Sequence, residues 1–297
     1  MPDFSALATN AFSLDQSVLL ASASNAAYFG DEDLDQWADT NGFTLSKVIT
    51  KGQYRAFIAN VDKPNFEKTT LIVFRGSDNR ANWITNFRVM PVEHPNGWGN
   101  VHLGFLTALE ALVPDLEAAN LLDGQRLWIT GHSLGGAIAL LAAEWLARRG
   151  GKVVGLHTFG QPRVGTAAFA DVIDAYFDGR YFRFVNQSDI VTRIPPGFSH
   201  AGTLRRIVRP GELEIGGVES ALPAGLESQE LPALTEEQFA RLQAGETPES
   251  PPVDEEISGT ASTETITLEG NLPWFRDHAI TEYIRLLDDV RRQGSQK

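Results

Sequence analysis

Apolar and polar positions alternate with two different periods along this chain, and the period switches repeatedly. Ser17–Tyr28 has helical spacing, whereas Phe43–Thr50 and Gln53–Val61 alternate as strands around a Lys51-Gly52 turn. Thr69–Phe74 (TTLIVF) is almost continuously apolar, as expected of a strand covered on both faces. The pattern then predicts a helix over His102–Ala119, a buried strand over Arg126–Thr130, and a long helix over Ser133–Arg149 that stops at Gly150-Gly151. A strand at Val153–Phe159, a helix at Ala167–Tyr176 and strands at Tyr181–Val185 and Thr203–Val208 follow. Asp277–Arg292 closes the series as an amphipathic helix with Ile280, Tyr283, Ile284 and Leu287 on one face. Strands alternating with helices predict a mainly parallel α/β sheet with helices on both faces, in a single domain spanning residues 1–297.

Charge changes this picture in one place. The net charge of −13 argues against nucleic acid as a partner, but it is not spread evenly. Residues 211–270 hold 14 Asp and Glu against one basic residue, Arg241, which is the whole imbalance of −13. With prolines at 223, 232, 248, 251 and 252, this stretch reads as an acidic, partly flexible insertion, with a short helix expected at Thr235–Gln243. Cysteine is absent, which excludes disulfides, thiolate nucleophiles and Cys-ligated metals. No apolar run approaches the ~18 residues that span a membrane. The first cationic side chain is Lys47, so the start of the chain offers no secretory signal. The expected location is therefore the cytoplasm, or outside the cell by a non-classical route.

The junction at Thr130–Gly136 reads T-G-H-S-L-G-G and contains a G-x-S-x-G at Gly131–Gly135. The bare match is weak, and an N-cap serine between two glycines would give it too. Its setting is specific, because an apolar strand runs into the first glycine and a helix starts at the serine. In such an elbow Ser133 projects from a sharp turn at a helix N-terminus, where the dipole favours a developing oxyanion.

A serine hydroxyl needs an adjacent base. The partners of an elbow serine follow in the order acid, then histidine. That order removes His94, His102 and His132, and His157 lies inside a strand ahead of every good acid. Asp171, Asp174 and Asp178 fall on or at the end of a helix. Asp189 follows a strand through Asn186-Gln187-Ser188, the position such an acid occupies, although an Asx-turn carboxylate would sit there as well. His200 and His278 both remain as the base. Chain logic favours His278, beside a capping Asp277 at the mouth of the last helix, with His200 as a pocket wall or a structural histidine.

One oxyanion donor is expected from the Leu134 backbone N–H and the other from Ser77, in the turn Arg75–Asn79 after an apolar strand. Beyond it, Trp83, Ile84 and Phe87 fall on one face of a short helix, which suits either an apolar lid or a permanently packed loop.

With these residues in view, the chain resembles the class 3 lipases, the fungal-lipase-like group of α/β hydrolases. VFRGS (Val73–Ser77), NWITNF (Asn82–Phe87), VHLGF (Val101–Phe105), ITGHSLGGAIA (Ile129–Ala139), TFGQPRVG (Thr158–Gly165), FVNQSDIVTRIPP (Phe184–Pro196), FSHAG (Phe198–Gly202) and DHAITEY (Asp277–Tyr283) carry the resemblance in family order. It implies the α/β-hydrolase fold with Ser133 as nucleophile, Asp189 as acid and His278 as base, His200 being a recurring histidine that is not the base. It also implies Ser77 and Leu134 as the oxyanion hole and the segment around Trp83 as the lid. Secreted fungal members carry disulfides and a signal peptide, whereas this chain has no cysteine and is expected to have no such signal, and the short members have no counterpart of the acidic segment.

The resemblance implies a serine ester hydrolase acting through an acyl-enzyme, without metal or cofactor, on a lipid or ester substrate. Acylglycerols at a lipid–water interface are the first expectation. A carboxylesterase, a feruloyl-type esterase or a phospholipase would use the same triad. A catalytically silent binding module is the alternative from another class, and such modules usually lose one of these residues.

Overall fold

The computed structural model describes residues 3–77, 89–187, 189–216 and 276–294. Eight of the ten described strands form one sheet. They are β1 (Thr44–Lys51), β2 (Tyr54–Val61), β3 (Thr69–Phe74), β6 (Arg126–His132), β7 (Lys152–Phe159), β8 (Tyr181–Asn186), β9 (Thr203–Arg209) and β10 (Glu212–Ile215), and they lie side by side in that order. The pairs from β3 to β9 are parallel, while β1, β2 and β10 add antiparallel edges. β4 (Pro91–Glu93) and β5 (Asn100–His102) make a separate antiparallel pair.

Alternation along the strands divides the core between two faces. Ile72 and Phe74 of β3 pack with Phe105, Leu109 and Leu112 of α3 (Leu103–Glu117), and with α4 (Leu134–Arg148) and α5 (Ala167–Tyr176). Leu71 and Val73 face the other way, into α1 (Leu14–Ala26), α2 (Asp31–Thr40) and α6 (Ile280–Gly294). β3 is buried at every position, which explains why its sequence is apolar without alternating.

Helix ends follow local chemistry. Ser13 and Gln16 form a reciprocal capping box that starts α1. The predicted stop at Gly150-Gly151 is present, with the Gly151 N–H donating to the Leu146 carbonyl at 2.9 Å.

Several expectations need correction. The acidic stretch does not begin as an insertion: residues 212–215 are β10, paired with β9 at the sheet edge. The last helix starts at Ile280, so Asp277, itself helical, lies before the break at residues 278–279 rather than at its cap. On α6, Leu286 and Val290 are buried with Ile280, Tyr283 and Leu287, whereas Ile284 is only half-buried. α2 has no counterpart among the expected helices, because five acids among its ten residues obscure the buried Leu34, Trp37 and Ala38. The short helix expected at residues 235–243 lies outside the described residues. Among the described residues no helix is long and apolar enough to cross a membrane.

Candidate active site

The C-terminal ends of β3, β6, β7 and β8 converge on Ser133. This serine holds φ +59° and ψ −130°, a conformation L-residues rarely adopt, between the end of β6 and the start of α4. Its amide donates to Phe159 O at 2.9 Å and its carbonyl accepts from Gly136 N at 2.9 Å. Both flanking glycines are sterically required. A Cβ on Gly131 would run into the Gly135 backbone, and one on Gly135 would run into Phe74 O, 2.8 Å from Phe74 C. Ser133 thus stands at the N-terminus of α4, where the first backbone N–H groups have no carbonyl one turn earlier.

Asp189 is fully buried just beyond β8, in a turn closed by its N–H to Asn186 O at 2.8 Å. Its Oδ1 accepts from Val191 N at 2.9 Å, and its Oδ2 accepts from the Tyr283 hydroxyl at 2.7 Å. His278 Nδ1 lies 3.0 Å from Oδ1 and 2.8 Å from Oδ2, so its N–H is shared between the two oxygens. In the neutral ring this places the lone pair on Nε2. Ser133 Oγ and His278 Nε2 are both buried and make no hydrogen bond among the described residues. The two sites are neighbours: Ser133 N bonds Phe159, and a Cβ on the next residue, Gly160, would lie 2.7 Å from Asp189 Oδ2 and 2.9 Å from His278 Nδ1.

His200 is placed differently. Its Nε2 donates to Thr192 O at 2.6 Å, on the loop that follows Asp189. Burial, reinforced by the positive charge of Arg183, pushes its pKa well below the ordinary histidine range. Asp189 therefore faces His278 and not His200. The other eliminated histidines also have local work: His102 caps α3 by accepting from Gly104 N at 3.1 Å, and His157 is a buried neutral histidine, its pKa pushed down to about 3 chiefly by desolvation.

Gly76 lies against the elbow, since a Cβ there would sit 2.6 Å from His132 O and 3.1 Å from Ser133 Cβ. That brings the loop carrying half-buried Ser77 alongside Ser133, while Leu134 opens α4 directly after it. Trp83, Ile84 and Phe87 lie outside the described residues. No group of three or more His, Asp or Glu side chains among the described residues is arranged to hold a metal ion.

Sequence reasoning misses Tyr283 as part of this site. It stands on the apolar face of α6 and reads as packing, but its hydroxyl also accepts from Asn186 N at 2.9 Å. A polar tip on a buried stripe is the available signal.

A mainly parallel sheet flanked by helices, with a strained serine at a strand–helix elbow and a buried acid beyond a later strand that meets a histidine just before the last helix, defines the α/β-hydrolase fold. The sequence profile described as lipase (class 3) matches residues 71–199. A Rhizomucor miehei lipase is 42% identical over 158 residues, covering 48% of this chain and 43% of that protein. A Fusarium solani secreted mono- and diacylglycerol lipase is 37% identical over 165 residues, covering 52% of this chain and 48% of that one. A solved triacylglycerol lipase, whose catalytic centre is described as a serine protease triad, superposes with TM-score 0.59 at 32% identity over 69% of this chain and 84% of its own. The chain belongs to the class 3 lipase family. It spans under half the length of those two sequence relatives.

Proposed function

We propose that this chain hydrolyses carboxylic esters by two-step acyl transfer, with Ser133 as nucleophile, His278 as general base and Asp189 as the orienting acid. The observation that supports this most is the buried Asp189–His278 contact at 2.8 Å, which leaves the ring's lone pair on Nε2, while Ser133 is held at φ +59° on the elbow. On this reading Ser133 Oγ attacks the ester carbonyl as His278 Nε2 takes its proton. The imidazolium formed is stabilised by Asp189. The tetrahedral oxyanion is met by the Leu134 N–H and by the backbone N–H and hydroxyl of Ser77, each worth about 3 kcal/mol in a dry site. His278 then returns the proton to the departing alcohol. Water, deprotonated by His278, attacks the Ser133 ester, releasing the carboxylic acid and restoring the hydroxyl. The residues involved satisfy this chemistry without a cofactor.

Acylglycerols are the proposed substrates, by likeness to relatives named as a lipase and as a secreted mono- and diacylglycerol lipase. The test is a hydrolysis profile over soluble esters of rising acyl length and an emulsified long-chain triglyceride, each against Ser133→Ala. A Ser133-dependent rate that rises once emulsion forms supports a lipase acting at an interface, with Trp83, Ile84 and Phe87 as its lid. A rate confined to short soluble esters would make the chain an esterase. No Ser133-dependent rate on any ester would overturn the proposal.

A further inference from the structure

His132, the residue between glycine and serine in the elbow motif, is fully buried, and it touches the histidine proposed as the base rather than the substrate side. Its Nε2 lies 2.7 Å from the backbone carbonyl of His278. Its ring lies on the His278 ring, centroids 4.6 Å apart and planes 33° apart. On the other side its Nδ1 is 2.9 Å from the Tyr28 hydroxyl, two residues beyond the end of α1. Tyr28 also abuts the oxyanion loop, since a Cβ on Gly76 would run into its hydroxyl.

These contacts fix the proton positions. A backbone carbonyl only accepts, so His132 Nε2 carries the hydrogen. In the neutral ring Nδ1 is then bare, and the Tyr28 hydroxyl donates to it. That hydroxyl anchors the edge of the ring opposite the His278 carbonyl.

We infer that Tyr28 and His132 are positioning residues for His278: His132 ties the main chain of the base to the residue next to the nucleophile, and Tyr28 holds the His132 ring in place from its other side. This rests on the reading of Ser133 and His278 given above. The tie matters because the base sits in the break at residues 278–279, between helical residues 276–277 and α6, and has no strand of its own. A second tie to the adjoining backbone comes from Asn186 Nδ2, which donates to Asp277 O at 2.9 Å on the acid side. His132 supplies the tie on the nucleophile side. A misplacement of under an ångström between base and nucleophile slows the chemical step more than it weakens substrate binding.

The test is steady-state hydrolysis of p-nitrophenyl butyrate by the full chain and its variants, with thermal unfolding measured alongside. His132→Phe, which cannot donate to the carbonyl, should lower kcat about tenfold or more with KM within about twofold. His132→Gln presents an amide N–H to the carbonyl and an amide oxygen to Tyr28, and should recover kcat to within about threefold of the parent. Tyr28→Phe should lower kcat about fivefold in the parent chain. Added to His132→Phe it should have no further effect on kcat, because that ring has no nitrogen to receive the hydroxyl. A folded His132→Phe with the parent kcat, a folded His132→Gln as slow as His132→Phe, or a Tyr28→Phe effect that persists fully on top of His132→Phe would each overturn the inference. A Ser133→Ala variant that keeps the parent rate would instead overturn the underlying reading, whatever His132 does.

Discussion

The hydroxyl of Tyr283 and the carboxylate of Asp189 meet at 2.7 Å, and the same hydroxyl accepts the amide of Asn186 at 2.9 Å. One phenol on the last helix thereby ties the proposed acid to the end of the strand that delivers it. Tyr283→Phe keeps the ring and removes only the hydroxyl, leaving a buried N–H without its acceptor. The expected cost is about 1–3 kcal/mol of stability, read as a lower midpoint in urea. A fall in kcat of up to about tenfold should accompany it, with KM little changed. An unchanged midpoint would contradict this account of the bond.

Gly160 adopts φ +57° at the end of β7, with the acid and the base packed against it. Gly160→Ala puts a methyl group 2.7 Å from Asp189 Oδ2 and 2.9 Å from His278 Nδ1. The backbone strain alone should cost about 1–2 kcal/mol. The larger effect should be on kcat, by about a hundredfold, because the methyl group pushes the pair apart. A variant whose stability falls while kcat holds would show that the pair tolerates displacement.

His200 and His278 are separable by mutation. His278→Ala should abolish ester hydrolysis down to the residual level of triad knockouts. His200→Ala removes a donor from Thr192 O and should cost about 1–3 kcal/mol of stability while leaving measurable turnover. The reverse ranking in kcat would transfer the base to His200.

The buried histidine at 157 makes stability depend on pH. Folding lowers its pKa from the ordinary 6.5 to about 3, so the unfolded chain binds the extra proton between these values. The stability is therefore fully present above about pH 6.5 and is lost progressively as pH falls towards about 3. His200 shifts in the same direction, so the single-site contribution is read by difference. His157→Gln should flatten the fall in urea midpoint between pH 6.5 and pH 4 relative to the parent, and an unaltered slope would contradict the assignment.

The parts of the fold legible in the sequence are those set by local pattern. β3 has the bounds its sequence predicts, because a fully buried parallel strand needs consecutive apolar residues, here interrupted only by the two threonines at its start. α5 also has its expected bounds. Ser133 is legible because its elbow demands glycines at both flanks, a demand the geometry around Gly131 and Gly135 explains. Residues whose work depends on distant partners are not legible. β10 (ELEI) disappears into an acidic stretch, although its pairing with β9 is what gives it structure. Tyr283 looks like packing, and the place of His132 in chain order only excludes it as a base. Their hydrogen bonds reach residues 94 and 146 positions away, which no local window contains.

Titration with a p-nitrophenyl alkylphosphonate tests the central claim most directly, because such an ester mimics the tetrahedral intermediate and stays on the nucleophile. Mass spectrometry of the digested protein then locates the label. The account predicts release of about one equivalent of p-nitrophenol per chain, a label on Ser133, and none of either in Ser133→Ala or His278→Ala. Undiminished release from Ser133→Ala, or a label on any other residue of the parent chain, would contradict it.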